Sequence, residues 1–223
     1  MKNQYFGDFG DYQKFSLLRC LRDTGGFRIT VHWMKTKDDA SNDGSRIGYL
    51  EDPAVWDSFD RDIFEFLRDC MALKNRDLAH YETSHHASGI KFFNDYVNDL
   101  SKRSEMLEAI RRDKTSDLIF FDPDNGIEVT STNPNNVHKY VLRSDIETVL
   151  GSGKSVLIYQ HFIRKNRDIF IREKVQKIKR HFRVSVSVIR VRHSVYFLLG
   201  QKRHAVKIGK ALKEYSNIWK ALA

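Results

Sequence analysis

Leu118-Ile119-Phe120-Phe121-Asp122-Pro123-Asp124-Asn125-Gly126-Ile127-Glu128 opens on four consecutive apolar residues and ends in a polar knot. An apolar run this short, with no alternation, fits a strand covered on both faces, as parallel sheets require. The carboxylate that follows sits where burial opposes charge, so it needs a partner or a task. Asp-Pro and Asn-Gly are also common turn dipeptides, and a plain turn is the competing reading.

The same pattern recurs downstream. Ser155-Val156-Leu157-Ile158-Tyr159 reads as a second buried strand, running into Gln160 and His161. Around these two runs the chain alternates. A helix is expected over 11–22, a strand over 27–34, a helix over 57–73, a short strand over 78–82 and one or two helices over 88–112. Helices over 144–151 and 164–182 flank the second run. Strands over 184–189 and 194–199 pair across a turn, and a helix over 203–222 closes the chain. Alternation of this kind builds a mostly parallel sheet with helices on both faces. The expected class is therefore α/β, Rossmann-like, with a terminal antiparallel strand pair and an extra N-terminal helix. One domain over residues 1–223 is the simplest organisation, since no repeat or linker interrupts it.

Composition narrows the setting. The chain has 223 residues, 41% hydrophobic and 30% charged, which suits a globular protein. No apolar run reaches membrane-spanning length and the first residues lack a secretory signal, so a cytoplasmic protein with no membrane partner is expected. Cys20 and Cys70 read as small buried hydrophobes. A formal charge of +9 favours a polyanionic partner, of which nucleic acid, DNA or RNA, is the commonest. The charge is concentrated: residues 164–183 hold nine Lys or Arg against two acids. Arg164, Lys165 and Arg167 begin that helix, where they could hold phosphate; a solvated outer face is the alternative.

In an open parallel sheet ligands bind at the carboxyl ends of the strands. Asp122, Asp124, Asn125 and Glu128 follow one core strand, and Tyr159, Gln160 and His161 the next, so both groups are expected to face one cleft. Two chemistries suit them. In the first, Asp122 accepts hydrogen bonds from the exocyclic amine of an extruded nucleobase, with Tyr159, Gln160 and His161 lining the pocket. In the second, Asp122, Asp124 and Glu128 hold Mg²⁺ or Mn²⁺ for phosphodiester cleavage, with His161 as base or further ligand. A third reading has no catalysis: a scaffold that binds nucleic acid or a protein partner.

The residues also suggest relatives. Asn3 to Leu21 (NQYFGDFGDYQKFSLLRCL), Gly48-Tyr49-Leu50-Glu51 and the Asp122-Pro123 strand end resemble the RlmJ-type large-subunit ribosomal-RNA N6-adenine methyltransferases. That resemblance covers most of the chain by order of elements and only short motifs by residue. It implies a class I methyltransferase-type sandwich, S-adenosylmethionine as cofactor near His32, Trp33 and Asp43, and Asp11 and Lys14 on matching positions; Lys14 is expected to hold phosphate with Arg164, Lys165 and Arg167. NQYFGDFGDYQK, NDG, FFDPDNGIE and IYQHFIR together resemble, more specifically, a family of short bacterial proteins to which the likeness assigns no activity. The chain departs from the methyltransferases in two places. Between Gly26 and Gly44 there is no glycine, where that family has its cofactor loop; and Asp124 and Asn125 replace a proline and a stacking aromatic. The second change moves the site toward the metal alternative.

Overall fold

The computed structural model describes residues 1–39, 44–94 and 100–220. Along the chain run α1 (Phe9–Asp23), β1 (Ile29–His32), α2 (Pro53–Trp56), α3 (Arg61–Ala72), α4 (Ala79–Glu82), β2 (Lys91–Phe93), α5 (Leu100–Arg112) and β3 (Leu118–Phe121). Then follow β4 (Gly126–Ile127), β5 (Tyr140–Val141), α6 (Arg143–Gly151), β6 (Ser155–His161), α7 (Arg167–Phe182), β7 (Ser185–Arg190), β8 (Ser194–Gly200) and α8 (Ala205–Ile218). Six strands form one sheet in the order β2-β1-β3-β6-β8-β7. The first four are parallel; β8 runs antiparallel to both β6 and β7. This is the mostly parallel sheet with a terminal antiparallel pair that the sequence leads one to expect.

The two-residue period of a strand sorts the core. In β3, Leu118 and Phe120 join a cluster with Phe15, Leu18, Trp33 and Tyr196 under α1, α3 and α8. Ile119 and Phe121 point the other way, into a cluster with Met106, Ile146, Val149, Phe170 and Ile178 under α5, α6 and α7. All four β3 residues are buried, which is why the run needs no polar alternation. α1 is held by its own ends: the Asp8 carboxylate accepts from the Asp11 amide at 3.0 Å, and past Thr24 the chain turns at Gly26 with φ +65°.

Two expectations fail. Residues 78–82 are helical rather than extended, because Asp77 accepts from the Ala79 amide (3.0 Å) and the Thr83 hydroxyl donates to the Ala79 carbonyl (2.7 Å), closing a turn. Residues 88–93 are not helical. Gly89 at φ +78° breaks the chain, and Lys91–Phe93 add a parallel edge strand beside β1. Among the described residues no helix is long and apolar enough to cross a membrane.

Candidate functional site

At the carboxyl ends of β3 and β6 the chain opens a cleft of about 820 Å³. Phe121 pairs with Ile158 in register, so Asp122 and Tyr159, the next residue of each strand, emerge side by side. The cleft is lined by Asp122, Asp124 and Asn125 from the first strand end and by Tyr159, His161, Arg164 and Arg167 from the second. Lys14 lines it too. The two tips thus share one crevice, and α1 closes it from the side.

Gln160, expected to contact substrate, does not line the cleft. It is buried and ties the tips together. Its side-chain carbonyl accepts from the Ile127 amide (3.0 Å), and its NH₂ donates to the carbonyls of Asn125 (3.0 Å) and His161 (3.1 Å). Gly126 is obligatory beside it: φ is +91°, and a Cβ there would come within 2.3 Å of the Gln160 amide. Glu128 is likewise turned away, accepting from the Arg143 amide at 2.7 Å. Lys165 lies outside the cleft, its ammonium paired with Glu173 at 2.6 Å.

The floor is a buried charge cluster. Lys14, expected to hold phosphate, is instead buried: its ammonium donates to Asp122 at 2.7 Å and to Asp11 at 2.9 Å, with all three side chains at most 5% exposed. The same ammonium lies 5.3 Å from the Tyr159 ring centroid. Asp8 adds a third carboxylate from the cap of α1. Three carboxylates around one ammonium leave excess negative charge in a low-dielectric place. Burial, helped by Asp8 and Asp122 and opposed by Lys14, pushes Asp11 up to about 7. Burial also raises Asp8. For Lys14 desolvation is outweighed by Asp11 and Asp122, so its pKa rises and it stays charged. His161 is accessible but enclosed by the cleft walls; desolvation lowers its pKa and keeps it neutral at pH 7. At the rim the sign reverses: Arg46, Arg164 and Arg167 are exposed and Lys139 half-buried, while the exposed Asp39 is ion-paired to the buried Lys2.

The expected metal ligands separate. Asp122 is paired with Lys14, Asp124 accepts from the Met1 ammonium (2.8 Å) and the Thr36 hydroxyl (2.6 Å), and Glu128 caps the start of α6. Burial acts to raise Asp124, but the Met1 ammonium and Thr36 outweigh it and hold it low. Among the described residues no three His, Cys, Asp or Glu side chains are placed to hold a metal ion. The Mg²⁺ or Mn²⁺ alternative finds no ligand set.

The residues expected near a cofactor divide. Trp33 belongs to the core: fully buried, it donates to Glu82 at 2.7 Å and stacks on Phe92. Asp43 lies outside the described residues. His32 is buried with its ring 4.4 Å from that of Phe93, and its Nε2 has no hydrogen-bond partner. It lines a second cavity of about 220 Å³ with Met34, Phe93, Lys102, Glu105, Met106 and Ala109, at the ends of β1 and β2.

Sequence reasoning missed Asp8, Arg46, His193 and Ser194 as lining residues. The N-cap position of Asp8 before a helical run was a readable signal for its place; the other three come from loops and strands distant in the chain.

Together the strand order, the reversed β8 and a polar cleft at the parallel strand ends define a Rossmann-like, methyltransferase-type scaffold. No protein-family model matches the chain, and no curated protein does. Among solved structures it is similar to human methyltransferase-like protein 13 in complex with SAH. That likeness is 13% identity over 93% of this chain and 92% of the other, at a TM-score of 0.39, and at that level it carries no argument.

Proposed function

We propose that the protein is a nucleic-acid-acting enzyme that methylates the exocyclic amine of a nucleobase. The observation that supports this best is the polarity of the cleft, acidic at its floor and basic at its mouth. A nucleotide unit of a nucleic acid has the matching polarity when its base points inward: amine hydrogens toward carboxylates, phosphates toward arginines. A base in a duplex reaches such a floor only if it leaves the stack.

In this reading Asp122 accepts from the target amine and Lys14 fixes the Asp122 carboxylate by its 2.7 Å ion pair. The Tyr159 ring forms a wall beside the base. His161, neutral at pH 7, takes the proton that the amine releases. Arg46, Arg164 and Arg167 hold phosphates. The cavity beside His32 has room for the adenine ring of S-adenosylmethionine: Met34, Phe93, Met106 and Ala109 give it apolar walls, Lys102 and Glu105 give it polar ones, and His32, whose Nε2 has no hydrogen-bond partner, is part of its lining. His32, Met34 and Phe93 would hold that ring, and the cofactor when bound supplies an electrophilic methyl group.

Calorimetric titration tests the reading. S-adenosylmethionine should bind with saturating heat, and His32→Ala should weaken it. Absence of heat at millimolar cofactor removes methyl transfer. Asp122→Asn should abolish transfer to oligonucleotides while leaving their affinity within about threefold, a difference below 1 kcal/mol.

A further inference from the structure

We infer that Ile163 is a wedge that enters base-paired nucleic acid at the mouth of the cleft and fills the gap left by the nucleotide drawn inside. This rests on the reading of the cleft as a seat for a nucleobase. Ile163 lines the mouth in the loop between β6 and α7, and 59% of its surface is exposed. A single exposed apolar residue is ordinary on a protein surface. This one is held in place on both sides. Before it, the Phe162 ring packs edge-on against Phe170 at 5.9 Å, and the Arg167 guanidinium lies 4.9 Å from the same ring. After it, the Lys165 amide donates to the Ile163 carbonyl at 2.7 Å, and Lys165 is itself tied to Glu173. Asn166 then caps α7, accepting from the amides of Asp168 and Ile169. The backbone is pinned and the side chain projects.

That arrangement suits insertion. The ordering entropy of the loop is met in the free protein, and a β-branched side chain has few rotamers left to lose. Arg164 and Arg167 line the same mouth, placing cations where backbone phosphates on either side of a wedge would lie. When a base leaves a duplex, the neighbouring bases expose apolar faces, and an inserted aliphatic side chain covers them.

The test compares wild-type protein with Ile163→Ala and Ile163→Leu. The probes are a single strand, its duplex with 2-aminopurine at a mismatched position, and the same duplex with an abasic site, each prepared as DNA and as RNA. For DNA or for RNA, the wild type should brighten 2-aminopurine and prefer the abasic duplex to the intact one. Ile163→Ala should lose the brightening and lower duplex affinity about tenfold with single-strand affinity retained, and Ile163→Leu should restore both. Equal losses on single strand and duplex, or no loss, overturn the wedge and leave the nucleobase reading standing. Wild-type protein that binds none of the probes overturns both.

Discussion

Lys14 is the residue on which the floor of the cleft turns. It is buried at the meeting point of Asp11 and Asp122, and removing one member of such a group strands the others without compensation. Lys14→Met should lower stability by about 3–5 kcal/mol, measured by urea denaturation. Converting Asp11 and Asp122 to Asn in the same chain should recover most of it. His32 sets a pH signature. Burial pushes its pKa down from 6.5 to about 3, so the unfolded chain takes up a proton that the folded one refuses. Its contribution is full above pH 6.5 and is lost as pH falls toward 3. The stability of His32→Phe should therefore decline less than that of wild type between pH 7 and pH 4, as read from denaturation midpoints. At this scale the sequence was informative where chemistry was concentrated. Asp122, Tyr159 and His161 are legible because each follows an apolar strand. Gln160 was misassigned because strand alternation turns it to the opposite face from Tyr159, and a buried amide that knits loops looks in sequence like one that reads a substrate.

At the scale of elements, the loop after β3 and the end of β6 behave as one piece because Gln160 spans them. Gly126→Ala should cost about 1–3 kcal/mol, from backbone strain at positive φ together with displacement of the Gln160 side chain. Gln160→Ala in the same chain should relieve the steric part and leave the strain. Thermal melts of the single and double variants separate the two. The buried strands β3 and β6 and the helices α6 and α7 could be read from apolar period and caps. β2 could not. Three residues at a sheet edge offer too short a pattern, and Phe92 and Phe93 also satisfy a helical spacing. The turn at Gly89, with its positive φ, was the signal that a helix does not pass through. The small pairing of β4 with β5 was equally hidden, since two-residue strands have no periodicity to detect.

Across the whole molecule, basic charge is sorted by place rather than spread. Arg46, Arg164 and Arg167 ring one opening, whereas Lys165 and Glu173 neutralise each other outside it. Replacing the three arginines with alanine should reduce the slope of log affinity against log salt. The reduction should be about 0.9 for each duplex phosphate no longer neutralised, or about 0.7 on single strands. Lys165→Ala should leave the slope unchanged. The net charge and the helix that carries much of it were plain in the sequence, but which cations meet the cleft depends on loops brought together from residues 46, 139 and 164–167. The floor has a similar history. Lys14 meets Asp122 across 108 positions, so a ribosome exposes the lysine long before its partner is made. Until the β3 end emerges, that ammonium has only Asp8 and Asp11 nearby in sequence, and the central strand of the sheet beneath the first helix is missing. The cleft also draws on residues up to Ser194, and α1 packs against α8, so newly synthesised protein completes the cleft and seats its amino-terminal helix only when nearly the whole chain has been made.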